Sequence, residues 1–276
     1  MRIAVLIATS HRRTTWLAER CLPSVYGQLA VSPADVEVVV IDDNADDREY
    51  DAVREAVAAV RMGLGLPDHP FATRVLRNAR TRGHSGTGAW NTWLDFLTRS
   101  ASGPPRFVSL LDDDDEYMPH HLSNCAAAAE SGPVAGVFEC LEWVHDDRTE
   151  LRPLLVTDLT PEAFFVGNPG VQGSNMFLRV DCVAAIGGFD EALPNTTDRD
   201  LMIRLLRHAA QAGLQVRALA TVGARYFNHS GYRVNTDLDR KHQGLDLFYA
   251  KHRSAFTSEQ FDASLDRARR LFGYGR

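Results

Sequence analysis

In the first half of the chain the apolar positions fall into short continuous runs with little polar alternation. Ile3 to Ala8, Val36 to Ile41 and Phe107 to Leu111 each follow this pattern, which suits a strand covered on both faces. Thr73 to Leu76 predicts a shorter third strand. Helical stretches lie between these runs. Thr15 to Leu29 carries Trp16, Leu17, Cys21, Leu22 and Val25 near helical spacing, with a kink or break expected at Pro23. Asp47 to Arg61 has its acids early and its arginine late, as a helix dipole favours. Ala89 to Arg99 and Pro119 to Glu130 complete an alternation that predicts βαβ units, hence an α/β protein with a mostly parallel sheet.

The pattern changes after Ser131. Val134 to Val144 is strand material, Leu151 to Val156 is its candidate partner, and Asn175 to Arg179 and Val216 to Thr221 are further strands. Phe164 to Gly173 is loop-like, and Asp181 to Ile186 is a short helix. Asp198 to Ala212 is a longer helix with Leu201, Leu205 and Leu206 on one face, and Thr196 or Thr197 as its expected N-cap. Two more helices are expected from Asp237 onward. No stretch is rich enough in linker residues to separate independent domains, so the second half is expected to extend the same sheet in mixed orientation.

Composition narrows the function. With 276 residues, 45% hydrophobic and 24% charged, the chain can bury a large core. A formal charge of −6 argues against general nucleic-acid binding, which needs a basic surface. The opening apolar run is short and leads into His11-Arg12-Arg13, so it reads as a strand rather than a signal peptide. No apolar stretch approaches the roughly 20 residues of a membrane span. Cys21, Cys125, Cys140 and Cys182 lie far apart without paired metal spacing, which fits reduced thiols and a cytoplasmic location.

Phe107 to Leu111 runs directly into Asp112-Asp113-Asp114-Asp115-Glu116. Adjacent carboxylates at the end of a buried strand repel one another, and a hard divalent cation such as Mg²⁺ or Mn²⁺ would supply a reason to collect them. Asp42 and Asp43 also end a strand; they suit a nucleotide's base or ribose, and equally a polar turn. Thr9 ends the first strand, so all these residues are expected at the carboxyl edge of the sheet, where α/β proteins bind ligands. Arg77 to Gly88, with Arg82 in it, matches neither a P-loop nor a dinucleotide fingerprint; it can attract a diphosphate or simply be a solvated loop. Asp198 and Asp200 start a helix, either to complement its dipole or to provide a general base. His229 is open between a structural role, a late metal ligand and a phosphate donor.

In sequence order these pieces resemble the family 2 glycosyltransferases of the GT-A fold, over roughly residues 2 to 235. Val5 to Arg12 is similar to that family's opening strand and turn, and Val40 to Asp47 to its Asp-Asp-Gly/Asn-Ser segment. Leu111 to Asp115, with Tyr117 and Pro119, resembles its Asp-x-Asp motif; Gly187-Gly188-Phe189-Asp190-Glu191 and Thr197-Asp198-Arg199-Asp200-Leu201 resemble its two late segments. The resemblance implies a Rossmann-like, mostly parallel sheet flanked by helices with a mixed C-terminal extension. It implies a GT-A domain over 1-236, nucleotide-binding to about 132 and acceptor-binding over about 133-236, then a helical extension over 237-276. It further implies an inverting transferase using a nucleotide-diphosphate sugar, with uracil as the expected base. By the resemblance Thr9, Asp43, Asp112 and Asp113 would contact nucleotide, Asp114 a Mn²⁺ or Mg²⁺ ion, and Asp198 would be the base for an acceptor hydroxyl; the residues themselves add Arg82 as a further nucleotide contact and His229 as a further metal ligand.

Two departures stand out. Thr197 occupies the position where the family has Glu, and Trp90 replaces arginine in Ala89-Trp90-Asn91. A sugar-phosphate nucleotidyltransferase is an alternative, but it wants a glycine-rich loop after the first strand, where this chain has Ser10-His11-Arg12-Arg13-Thr14. A nucleotide-sugar-binding module without turnover is the non-enzymatic alternative, which the Thr197 departure keeps open.

Overall fold

A computed structural model describes residues 1–10, 13–65, 71–83, 86–98, 105–228 and 237–275. Its first half is β1 (Ile3–Thr9), β2 (Val36–Asp42), β3 (Ala72–Arg77) and β4 (Phe107–Asp112), paired in parallel in the order β3-β2-β1-β4. The chain runs outward from β1 to β3, then returns to lay β4 on the other side of β1. That reversal opens a crevice at the carboxyl ends of β1 and β4. The register brings Thr9 level with Asp42, and Ala8 level with Asp112, so the polar strand ends lie along one edge.

Both sheet faces are covered, which explains the unbroken apolar runs. Ala4, Leu6, Val39, Ile41, Val108 and Leu110 pack on one side with Trp90 and Trp93 of α4 (Thr87–Thr98). Ile3, Val5, Ile7, Val38, Val40 and Leu111 pack on the other with Leu17, Leu22, Val53 and Leu122. Those partners come from the π-helical turn at Leu17–Cys21 that follows α1 (Thr14–Trp16), and from α2 (Leu22–Tyr26), α3 (Asp47–Gly63) and α5 (His121–Glu130). The break expected at Pro23 thus takes the form of a π-turn just before it; the helical backbone runs on from Leu17 through Pro23, and the π-turn accommodates the N–H that proline lacks. Pro119 precedes α5 by two residues rather than opening it.

The second half continues the same sheet. β8 (Met176–Arg179) pairs antiparallel with β4, and β6 (Val134–Val144) antiparallel with β8. β9 (Gln215–Phe227) then lies parallel to β6, and β7 (Thr149–Arg152) pairs antiparallel with β6. A two-residue strand, β5 (Glu116–Tyr117), joins the acidic turn to β9. The sheet is therefore nine-stranded and mixed beyond β4. α6 (Pro161–Val166) claims part of the stretch expected to be loop, because Phe164 and Phe165 are core residues, 0% and 2% exposed. After α7 (Val180–Ala185) and α8 (Thr197–Gln211), two helices close the chain, α9 (Leu238–His252) and α10 (Ser258–Phe272). They pack Leu245, Phe248, Tyr249 and Ala268 into the core that holds α6 and α8. All four cysteines are buried and unpaired.

Candidate active site

A cleft of about 720 Å³ opens at the carboxyl edge of β1 and β4. That volume suits a small organic ligand. Thr9, Asp43, Asp112, Asp113, Asp114 and Asp198 all line it, from four separate segments of the chain. His229 lies outside the described residues. Arg82 is exposed and off the cleft; its guanidinium donates to the Asn78 carbonyl at 3.0 Å. The other basic residues of that loop are also committed elsewhere, Arg77 to Asp47 and Arg80 to Asp95 and Glu191. The arginine beside the acidic turn is Arg13, whose Nη1 lies 3.1 Å from Asp113 and 3.5 Å from Asp114.

Each acid is held differently. Asp43 accepts from the Gly83 amide at 3.0 Å and from the Asn78 side chain, which fixes its carboxylate over the edge of β2. Asp113 is 2% exposed and accepts from Arg13 and the Ser10 amide. Burial pushes its carboxyl up to about 7; Arg13 opposes the shift and Asp114 adds to it. Asp115 faces away from the cleft, where it accepts from Ser174 Oγ at 2.5 Å and the Phe227 amide at 2.9 Å. Burial and the neighbouring aspartates drive its carboxyl well up. Asp115 thereby ties the acidic turn to β9 and to the loop before β8. In that loop Gly173 approaches closely: a Cβ there would sit 3.1 Å from Asp112 Oδ1.

Asp198 arrives on the opposite side through the Gly187-Gly188-Phe189 turn. Both glycines have positive φ, and a Cβ on Gly188 would collide with Asn91 Oδ1. Asn91 of α4 accepts from the Phe189 amide at 2.9 Å and donates to the Phe189 carbonyl and to Glu191, so the turn is clamped to the first half of the fold. Thr196, the residue before α8, has φ 67 and makes no side-chain cap, contrary to the expected N-cap role. The left-handed conformation turns its hydroxyl into the protein, where it finds no partner. A β-branched residue in that region is strained, and such strain gathers at functional sites. Burial pushes Asp198 up to about 7; the Asp112 charge raises it further and Lys241 of α9 opposes. Asp198 therefore stands between an acid on one side and a cation on the other.

Asp200, two residues on, has another role. It is 0% exposed and accepts from Arg204 at 2.6 Å, Lys251 at 2.7 Å and His252 at 2.9 Å. Burial would raise its carboxyl, but these donors hold it far below the ordinary carboxylate range. It fastens α8 to α9.

Carboxylate oxygens are what Mg²⁺ and Mn²⁺ choose, and Asp112 to Asp114 present them at a crowded turn where Arg13 is the near cation, so this donor set fits a divalent ion. Among the described residues, the one preformed trio of ligand types is elsewhere, at His121, Cys125 and Glu139. It is closed and internally bonded: His121 Nδ1 meets Glu139 Oε2 at 2.6 Å and its Nε2 meets Ser109 Oγ at 3.1 Å. Asn124 and Thr221 fill the other Glu139 oxygen, so the trio is a structural network under the acidic turn.

Trp143 lines the cleft beside Tyr226, ring centroids 5.2 Å apart. The last two helices contribute Lys241, Arg267, Leu271 and Phe272 to its far side. No sequence motif marked that contribution. Arg13 had a weak signal, as a cation directly after the first strand.

A Rossmann-like sheet carrying this acidic edge defines a GT-A protein, and the comparisons agree. A sequence profile described as "Glycosyl transferase family 2" matches residues 7–186, and the chain belongs to that family. Solved structures show the same fold. The chain is 15% identical to S. aureus TarS 1-349 in complex with UDP-GlcNAc, with a TM-score of 0.68, covering 98% of this chain and 73% of that one. It is 18% identical to the mannosyltransferase PcManGT from Pyrobaculum calidifontis in complex with GDP-Man and Mn²⁺, with a TM-score of 0.61, covering 96% and 68%. Against a longer TarS structure, at 14% identity and a TM-score of 0.65, it spans 44% of that chain. No curated protein matches. Among the described residues, no helix is long and apolar enough to cross a membrane.

Proposed function

We propose that this chain is a metal-dependent inverting glycosyltransferase that moves a hexose from a UDP-sugar to an acceptor hydroxyl. The observation that carries the reading is a carboxylate poised near pH 7, Asp198, in the same cleft as Asp43 and Asp112 to Asp114. A general base works best with a pKa near the operating pH. Asp43 would accept from the uracil base, and Thr9, Asp112 and Asp113 would border the nucleotide. Mn²⁺ or Mg²⁺, held by Asp114 with its neighbours and by His229, would act as a Lewis acid that neutralises the departing diphosphate.

Asp198 takes the acceptor hydroxyl's proton as that oxygen attacks the anomeric carbon. The bond to the diphosphate breaks on the opposite face, its electron pair leaves with the diphosphate, and the configuration inverts. No covalent sugar–protein bond is needed. Trp143 and Tyr226 line the cleft as aromatic surface, with the Arg152 guanidinium 4.4 Å from the Trp143 ring centroid. A PcManGT structure holding GDP-Man and Mn²⁺ and a TarS structure holding UDP-GlcNAc support a nucleotide-sugar donor and a divalent ion, and leave the base to experiment. The test is a UDP-sugar and GDP-sugar panel with Mn²⁺, reading both nucleotide binding and glycoside product in wild type and Asp198→Asn. The reading expects binding in both and product in wild type alone. Binding without product in wild type would favour a module without turnover.

A further inference from the structure

The far side of the cleft is basic. Lys241 sits in the first turn of α9, half-buried, with Nζ donating to Asn195 Oδ1 at 2.8 Å. Arg267 comes from α10, also half-buried, and lies against Gly167 at the end of α6. A Cβ on residue 167 would stand 2.6 Å from Arg267 Nε, so the guanidinium's slot exists because residue 167 is glycine. Arg199 adds a third charge behind them, its guanidinium spent on the Phe164 and Phe165 carbonyls and Ser264. Among the described residues, neither Lys241 nor Arg267 forms an ion pair, and the Lys241 ammonium lies over the Phe272 ring at 4.7 Å. The acid that acts on Lys241 is Asp198, while Arg199 and Arg267 repel it; burial and this repulsion bring the ammonium down to about 8.

Lys241 and Arg267 together have one nearby acid, Asp198, and the excess positive charge is costly to half-bury unless a ligand balances it. The donor's diphosphate is assigned to the opposite, acidic side. The remaining ligand is the acceptor, whose reacting hydroxyl must reach Asp198, next to Lys241. We propose that the acceptor carries an anionic group, a phosphate or a carboxylate, close to its reacting hydroxyl, and that Lys241 and Arg267 bind it. This specificity rests on the transferase reading above. It makes α9 and α10 part of the substrate-recognition surface as well as of the core.

The test uses the full chain saturated with UDP and Mg²⁺, so that the nucleotide side is filled. Methyl phosphate and acetate, the smallest bearers of the two groups, are titrated by calorimetry against chloride at matched ionic strength. Wild type should bind at least one of them, and which one identifies the group. Lys241→Gln and Arg267→Gln should each weaken that binding by about tenfold, the worth of one charge-assisted hydrogen bond. Gly167→Ala should weaken it through the displaced guanidinium, and Lys241→Arg should retain it. UDP affinity should stay at its wild-type value in all four. Binding no stronger than chloride's, binding indifferent to both Gln substitutions, or a tenfold loss of UDP affinity in either Gln variant would overturn the proposal. If wild type binds neither UDP nor GDP with the metal, the transferase reading itself has failed, which is a distinct result.

Discussion

The two sides of the cleft solve opposite electrostatic problems. On the β1–β4 side, Asp112, Asp113 and Asp114 crowd round Arg13, and burial leaves Asp113 reluctant to ionise. On the α9–α10 side, Lys241 and Arg267 crowd each other, and burial leaves Lys241 readier to lose its proton. Each side is destabilised by its own charge, and ligand of the other sign would relieve it. Asp198 sits at the boundary and feels both, raised by Asp112 and lowered by Lys241. A surface built for stability alone would interleave the signs; this one separates them across a space large enough for a substrate.

The most drastic way to break that comparison is to remove the boundary residue. Asp198→Asn should cut the turnover rate by about a hundredfold to ten-thousandfold, with UDP affinity retained, as measured by product release and calorimetry. Next in size is the fastening beneath it. Asp200→Asn leaves Arg204 and His252 without their carboxylate and Lys251 with Asp190 alone, and should cost about 3–5 kcal/mol in urea unfolding. The wild-type contribution of Asp200 has a definite pH sign. Its folded carboxyl lies below the unfolded value, so the stabilisation is present above about pH 4 and fades as pH falls toward the folded value.

Asp113 should behave in the opposite sense. Its folded carboxyl lies near 7, above the unfolded value, so the folded state binds the extra proton and stability falls as pH rises from about 4 to 7. Asp113→Asn should therefore raise the melting temperature of the ligand-free chain at pH 8 by a few degrees while impairing transfer. Mn²⁺ should raise the melting temperature of wild type and do less for the variant. The smallest effect is the most diagnostic. In wild type, kcat/KM should rise with pH through a limb near 7, as Asp198 loses its proton. Asp112→Asn should move that limb to lower pH and Lys241→Gln to higher pH. Shifts in the same direction would show that Asp198 does not stand between the two.

These two sides also differ in how much of them could be read in advance. The acidic side was legible because its residues stand at the ends of strands: an apolar run stops at a carboxylate, and parallel register brings the stops of β1, β2 and β4 to one edge. The basic side was not. Lys241 and Arg267 belong to ordinary amphipathic helices, 26 residues apart by their numbers, and only tertiary packing turns them toward Asp198. Arg82 shows the limit of reading loops by composition: a glycine- and arginine-rich loop invites a diphosphate, and here the Arg82 side chain donates to the Asn78 carbonyl. Thr196 has the composition of an N-cap, but it stands in a left-handed conformation that composition does not reveal. The mixed part of the sheet was legible as strands, while the parallel pairing of β6 with β9 depends on contacts far apart in the chain.

The burial of all four thiols has a practical consequence. Cys21 is buried in the apolar core and Cys125 beside Glu139; burial, aided for Cys125 by that carboxylate, pushes both thiols well up, so the natural protein should resist maleimide reagents without any cysteine being removed. A single introduced cysteine would then carry a fluorophore alone. Leu271 is 49% exposed at the rim contributed by α10, so a dye on Leu271→Cys would report arrivals on that side of the cleft in real time, separately from the nucleotide.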